Sequence, residues 1–116
     1  MKKAAAARTP MNVTCRPDSE GCAHAEKLAA AEALALLGDL DNWVYYPDRI
    51  EKRFAFKNFK QSLAFVKKVG AVAESLNHHP DIHFGWGYAE IVTTTHAVGG
   101  LTRNDFALAT EIDRVV

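Results

Sequence analysis

Apolar residues recur along this chain in two rhythms, and the change from one to the other marks out its elements. The clearest helical rhythm runs from Phe59 to about Leu76. Leu63, Val66, Val69, Ala73 and Leu76 form a stripe there, widened by Phe65 and Val72, while Lys60, Lys67 and Lys68 decorate the other side. Asn58 precedes it as an N-cap, with Gln61 in capping-box position. An earlier Ala- and Leu-rich stretch, Cys22 to Leu37, places Leu28, Ala31, Leu34 and Ala35 at helical spacing and meets Gly38 as a C-terminal cap. A third helix begins after Thr102. Asp105 completes a capping box with it, Leu101 and Phe106 fall at the hydrophobic-staple positions, and Leu108, Ile112 and Val115 supply the stripe.

Between these helices the period drops to two. Trp43 to Tyr46 reads as a short strand, interrupted by Pro47-Asp48. Ile50 to Lys57 alternates next, with Lys52, Phe54 and Phe56 on one face and Glu51, Arg53 and Ala55 on the other. A lysine on the apolar face suggests a position near a strand end or sheet edge. The two segments together predict a hairpin. Asp81 to Trp86 alternates as well, with Ile82, Phe84 and Trp86 opposed to His83 and Gly85, and Tyr88 to Thr95 follows as the next strand. Gly85 and Gly87 flank Trp86, which suggests a bulge or a close neighbour.

The resulting order is α-β-β-α-β-β-α. Strands arrive in pairs separated by a helix, so the expected fold is α+β, a four-stranded antiparallel sheet with three helices on one face. Residues 22–116 form the single domain of this reading, and residues 1–21, which lack periodicity, a flexible N-terminal tail. Lys2-Lys3 and the four alanines after them do not make a secretory signal, because no apolar core follows.

Composition narrows the function classes. The chain has 116 residues, enough for one hydrophobic core, with 48% apolar and 24% charged residues and a formal net charge of zero. Neutrality leaves no electrostatic footprint for direct nucleic-acid contact or an anionic membrane, and no apolar run approaches a membrane span. Cys15 and Cys22 lack the second pair of a structural zinc site and read as free thiols. There is no glycine-rich phosphate loop of either standard pattern.

Candidate chemistry concentrates between Glu74 and Asp105, which hold four of the five histidines: His78, His79, His83 and His96. Glu74 lies four residues before His78, so the two share a face if the helix continues. Asn77 is a helix-stop residue, and Pro80 pushes His79 into an extended conformation. A chain turning from helix to strand there sends the two imidazoles in different directions. His96 closes the Ile91–Thr95 run ahead of Gly99-Gly100, at a strand end facing a loop. Imidazoles titrate near neutrality and suit general acid and base work. Plainer structural roles exist for each: a histidine at a helix C-terminus for His78, a capping-box acid for Asp105, core packing for Trp86. His83 alternates with the apolar face and reads as surface.

The spacing Glu74, His78-His79-Pro80, Trp86, Thr95-His96, Gly99-Gly100-Leu101 and Asp105 resembles that of the pterin-4a-carbinolamine dehydratases. The similarity reaches back through Trp43 and Phe54-Ala55-Phe56-Lys57-Asn58-Phe59 and covers roughly residues 28–113. It implies the same α+β fold and elimination of water from a 4a-hydroxytetrahydropterin to give a quinonoid dihydropterin. By the resemblance, His78 and His79 contact the pterin as acid and base, and His96 closes the pocket with Thr95 beside it. Glu74 and Asp105 orient imidazoles, and Trp86 lines the pterin site. No cofactor or metal is implied. The expected protein is a cytoplasmic homodimer or homotetramer with a small-molecule pterin substrate and a possible protein partner. The competing reading from the same resemblance is a non-catalytic dimerisation cofactor or assembly factor. A three-histidine zinc site is the other competitor, disfavoured by the His-His adjacency and the missing HExxH or cysteine-pair pattern.

Overall fold

Asn58 and Thr102 begin the two best-defined helices as their side chains predict. In the computed structural model, which describes residues 26–116, α1 spans Ala30–Leu37, β1 Val44–Tyr46, β2 Arg49–Ala55, α2 Phe59–Leu76, β3 Asp81–Gly85, β4 Tyr88–Thr93 and α3 Arg103–Arg114. A single 3₁₀ turn, His96–Val98, lies between β4 and α3. Asn58 Oδ1 accepts the Gln61 N–H at 2.9 Å. At α3, Thr102 accepts from the Asn104 N–H, and the Asp105 carboxylate reaches back to the Thr102 N–H. The expected capping box is therefore formed.

The four strands make one antiparallel sheet in the order β1-β2-β4-β3. β1 and β2 form the predicted hairpin. Ala89, Ile91 and Thr93 alternate inward along β4 and are buried, while Tyr88, Glu90 and Val92 are partly open. Ile50 and Phe54 of β2 join the same inner face, and the core is closed by Ala33 of α1, Phe65, Val69 and Ala73 of α2, and Leu108, Ala109 and Ile112 of α3. All three helices thus cover one face of the sheet. β1 and β3 are its edges.

Three local expectations change. Lys52 lies in an interior strand, not at an edge. Its ammonium bonds Asp113 Oδ1 at 2.9 Å, and Asp113 Oδ2 accepts the Trp43 indole N–H at 3.1 Å. The Lys52 ammonium also stands 4.8 Å from the Phe54 ring centroid. The sheet tolerates this inward lysine because the last turn of α3 supplies its counter-charge. Within the described residues the helix expected over Cys22–Leu37 is formed only from Ala30, and the Leu28 N–H bonds the Leu101 carbonyl instead of a helical partner. Its buried face is Ala33 with Leu36 and Leu37, whereas Ala31, Leu34 and Ala35 face outward. A segment apolar on every side gives its periodicity nothing to choose by. In α2 the core position falls to Phe65, and Leu63 is 39% exposed. The predicted starts of tail and domain, and Cys15 and Cys22, lie outside the described residues.

Candidate active site

The end of α2 decides where two histidines go. Asn77 adopts the left-handed conformation at φ 53° and ψ 40°. Its N–H bonds the Glu74 carbonyl at 3.3 Å, and the His78 N–H bonds the Ala73 carbonyl at 3.1 Å. This is the paired pattern of a Schellman stop, tolerated by asparagine where most side chains would be strained. The turn drives His78 inward and returns His79 over the last turn of the helix. Glu74 consequently pairs with His79, at 2.5 Å between Oε2 and Nε2, and not with His78 as a continued helix would have it. The pair is open to solvent, with the His79 side chain 51% exposed.

His78 is buried, and its partner is Asp105, at 2.7 Å between Nε2 and Oδ1. Asp105 is fully buried beneath the N-terminus of α3. Burial of a carboxylate without compensation costs several kcal/mol, and here the compensation is complete. Thr93 Oγ1 donates to Oδ1 at 2.6 Å, Thr95 Oγ1 donates to Oδ2 at 2.7 Å, and the Thr102 N–H donates to Oδ2 at 3.0 Å. Thr95 and Thr102 also bond through their hydroxyls at 2.8 Å. The carboxylate both completes the capping box of α3 and bonds the His78 ring.

The segment after β4 carries His96. Thr95 forms an isolated bridge with Gly100, the Thr95 N–H donating to the Gly100 carbonyl at 2.8 Å. The bridge closes a small loop over the 3₁₀ turn, and Gly99, at φ 65°, reverses the chain with the backbone freedom only glycine has at no cost. His96 is exposed on that turn, one residue from the buried hydroxyl of Thr95.

Trp86 is placed differently. It occupies the β3–β4 turn and is 72% exposed. Five residues of strand separate that turn from His79, so within one chain Trp86 and the histidines sit at opposite ends of β3. His83 is exposed in mid-strand, across from Glu90. Among the described residues no three His, Cys, Asp or Glu side chains converge as a metal-holding group.

Thr93 and Thr102 are the site residues that the sequence reading passed over. The signal for Thr93 was present in the period-two alternation of β4, which puts Thr93 and Thr95 on the inward face with Ile91. Two hydroxyls aimed into a core need a polar partner.

A small α+β domain with two adjacent imidazoles, each held by its own carboxylate, has the makings of a proton-transfer site. The comparisons give that class its family. The family model for pterin 4 alpha carbinolamine dehydratase matches residues 26–115. A Rubrobacter xylanophilus protein bearing the family's name is 45% identical over 89 residues, covering 76% of this chain and 83% of the relative. The crystal structure of a transcriptional coactivator/pterin dehydratase from Brucella melitensis superposes with a TM-score of 0.73 at 27% identity, over 78% of this chain and 98% of that one. A pterin dehydratase-like protein described as a RuBisCO assembly factor in the alpha-carboxysome gives 0.52 at 30% identity, over 63% of this chain and 84% of that one. The chain belongs to the pterin-4α-carbinolamine dehydratase family.

Proposed function

We propose that the protein eliminates water from a 4a-hydroxytetrahydropterin to give the quinonoid dihydropterin, with histidines as general acid and base. In this reaction the C4a–OH bond breaks, a proton joins the leaving oxygen, and the N5 proton departs as the C4a=N5 double bond forms. One group must donate a proton and another accept one. The observation that carries the reading is the pairing of His78 with buried Asp105 and of His79 with exposed Glu74, 2.7 and 2.5 Å apart. Neighbouring imidazoles in unlike environments are suited to unlike proton-transfer roles. His79, half open to solvent, is the group best placed to meet a substrate. His78 is buried beside it in sequence, and His96 lies exposed on the loop after β4. Glu74 and Asp105 orient the rings. Trp86 enters a pterin site of this kind only from another chain, because its own chain holds it at the far end of β3. A dehydratase assay on chemically generated carbinolamine tests the proposal, and a protein without turnover above the uncatalysed rate refutes it.

No cofactor or metal takes part in this scheme, since loss of water needs only a proton donor and a proton acceptor, with no oxidation or reduction. Exhaustive chelation should therefore leave turnover unchanged. Activity lost on chelation and restored by zinc would recast the histidines as ligands.

The protein should be a homodimer or homotetramer. Among the described residues β1 and β3 are the outer strands of the sheet, and edge-strand donors and acceptors invite a second identical chain. Sedimentation equilibrium at micromolar concentration should show at least twice the 12.8 kDa chain mass, and a clean monomer contradicts this.

A second reading, binding to a protein partner, has its own support. Phe59 and Leu63 lie four residues apart on α2 and are 46% and 39% exposed. The two solved structures above are described as a coactivator and an assembly factor. A folded chain that fails the dehydratase assay would leave this reading as the better one.

A further inference from the structure

We propose that Thr93 is a positioning residue for His78: through Asp105, its hydroxyl fixes which ring nitrogen of His78 carries the proton. The proposal rests on the acid–base reading above for its consequence in catalysis, and on hydrogen-bond accounting for its geometry.

The protons around Asp105 can be traced one by one. The Thr102 N–H can only donate, and it donates to Oδ2. Thr95 has a single hydroxyl proton, which also lies on Oδ2. The bond between Thr95 and Thr102 must then run from the Thr102 hydroxyl to the Thr95 oxygen. The Thr102 oxygen in turn accepts the Asn104 N–H at 3.2 Å. A directed file of donors thus starts at the first turn of α3 and ends on Oδ2. A carboxylate has about four acceptor positions. Two are filled on Oδ2, and Thr93 fills a third, on Oδ1, at 2.6 Å. The only position left is the one His78 Nε2 occupies at 2.7 Å.

With Thr93 in place, the one proton shared between Oδ1 and Nε2 belongs on the nitrogen, because Oδ1 already accepts a donor and gains most as an anion. His78 is then the Nε2–H tautomer, and Nδ1 is the nitrogen offered to chemistry. Removing the Thr93 hydroxyl empties a position on Oδ1. The carboxyl can then take up a proton from water at Oδ1 and donate it to Nε2, while the ring's own proton moves to Nδ1, and that ring offers an N–H where the first arrangement offers a bare nitrogen. The plainer account is that Thr93, fully buried beside Ile91 on the inward face of β4, is a β-branched strand residue used for its shape.

Serine and valine separate the two. Thr93→Ser keeps the hydroxyl and loses the methyl group, whereas Thr93→Val keeps the shape and loses the hydroxyl. The readouts, on the full chain, are the ¹⁵N ring resonances of His78 and steady-state kinetics. Wild type and Thr93→Ser should show His78 protonated at Nε2 and bare at Nδ1. Thr93→Val should move both ring resonances toward the other tautomer and lower kcat about tenfold with KM little changed, the scale of one hydrogen bond to a charged group. A wild-type His78 protonated at Nδ1 and bare at Nε2 overturns the proposal before any substitution is made. So does a Thr93→Val protein with wild-type ring resonances, or a serine variant as impaired as the valine one. If wild type turns over no carbinolamine, the dehydratase reading fails alone, and the ring resonances still decide the role of Thr93.

Discussion

Replacing His79 by alanine should lower kcat/KM by roughly two orders of magnitude or more, the usual contribution of a general acid or base being about 10²–10⁴-fold. The melting temperature should barely move. The His79 side chain is half exposed and its partner is a solvent-facing glutamate, and exposed ion pairs of this kind contribute about 0–1 kcal/mol. His96→Ala should behave alike, since His96 is exposed on a 3₁₀ turn held by backbone bonds that do not need its ring. His78→Ala should differ. Its ring is buried and holds one of the four donors to Asp105, so its loss should cost about 1–3 kcal/mol in addition to activity. That cost arises from the buried network and not from the helix terminus, the origin its place after α2 would suggest. His83→Ala, on an exposed strand position, is the silent control. Groups that share a site need not add, so the His78/His79 double variant should be little worse than the worse single one. Stopped-flow dehydration rates and thermal melts of the five proteins make the test. Full activity in all three single variants, or a folded but inactive His83→Ala, removes the histidines from the proposed roles.

Legibility in the sequence followed local physics. The two later helices begin where Asn58 and Thr102 predict, because a capping side chain acts within three residues of itself. Strand order could not be read so directly, yet the paired strands and short turns left few ways to assemble four strands. The failures are of one kind. Ala31, Leu34, Leu63 and Lys52 were assigned from their own neighbourhood, and each was decided by something distant. Lys52 is partly buried because Asp113, sixty-one positions away, meets it. Leu63 is exposed because Phe65 fills the space against Phe54 and Phe56, at centroid distances of 4.7 and 5.1 Å. At the site, Asn77 was legible as a stop, but its left-handed turn exchanges the partners. It swings His79, five residues on, to Glu74 and frees His78 for Asp105, twenty-seven residues on. Thr93 was hidden for a different reason. A threonine in a strand satisfies the period whether or not its hydroxyl has a partner.

The largest stability effect in the molecule should come from Asp105→Ala. The side chain is fully buried and accepts four hydrogen bonds, from Thr93, His78, Thr95 and the Thr102 N–H. Truncation strands all four donors in the core, and each stranded donor costs about 1–3 kcal/mol, though not additively. It also removes the Asp105 half of the α3 capping box and leaves a void. A net loss of about 3–5 kcal/mol is expected, near the upper end for a single substitution and a large share of a small domain's stability. The melting temperature should fall by about 15 °C or more. Asp105→Asn separates volume from charge. It fills the same space, but an amide nitrogen must face two donors on one side, so the variant should recover only part of the loss. The orientation it then chooses has a catalytic consequence. With the carbonyl toward Thr95 and Thr102, the amide N–H₂ faces His78 and demands an acceptor at Nε2, which moves the ring proton to Nδ1. Activity per folded molecule should then fall by roughly two orders of magnitude, the scale of losing a general acid or base. Calorimetry and kinetics on the two variants check both claims. An Asp105→Asn protein with wild-type melting temperature and wild-type kcat would mean that neither the cap nor the tautomer depends on this carboxylate.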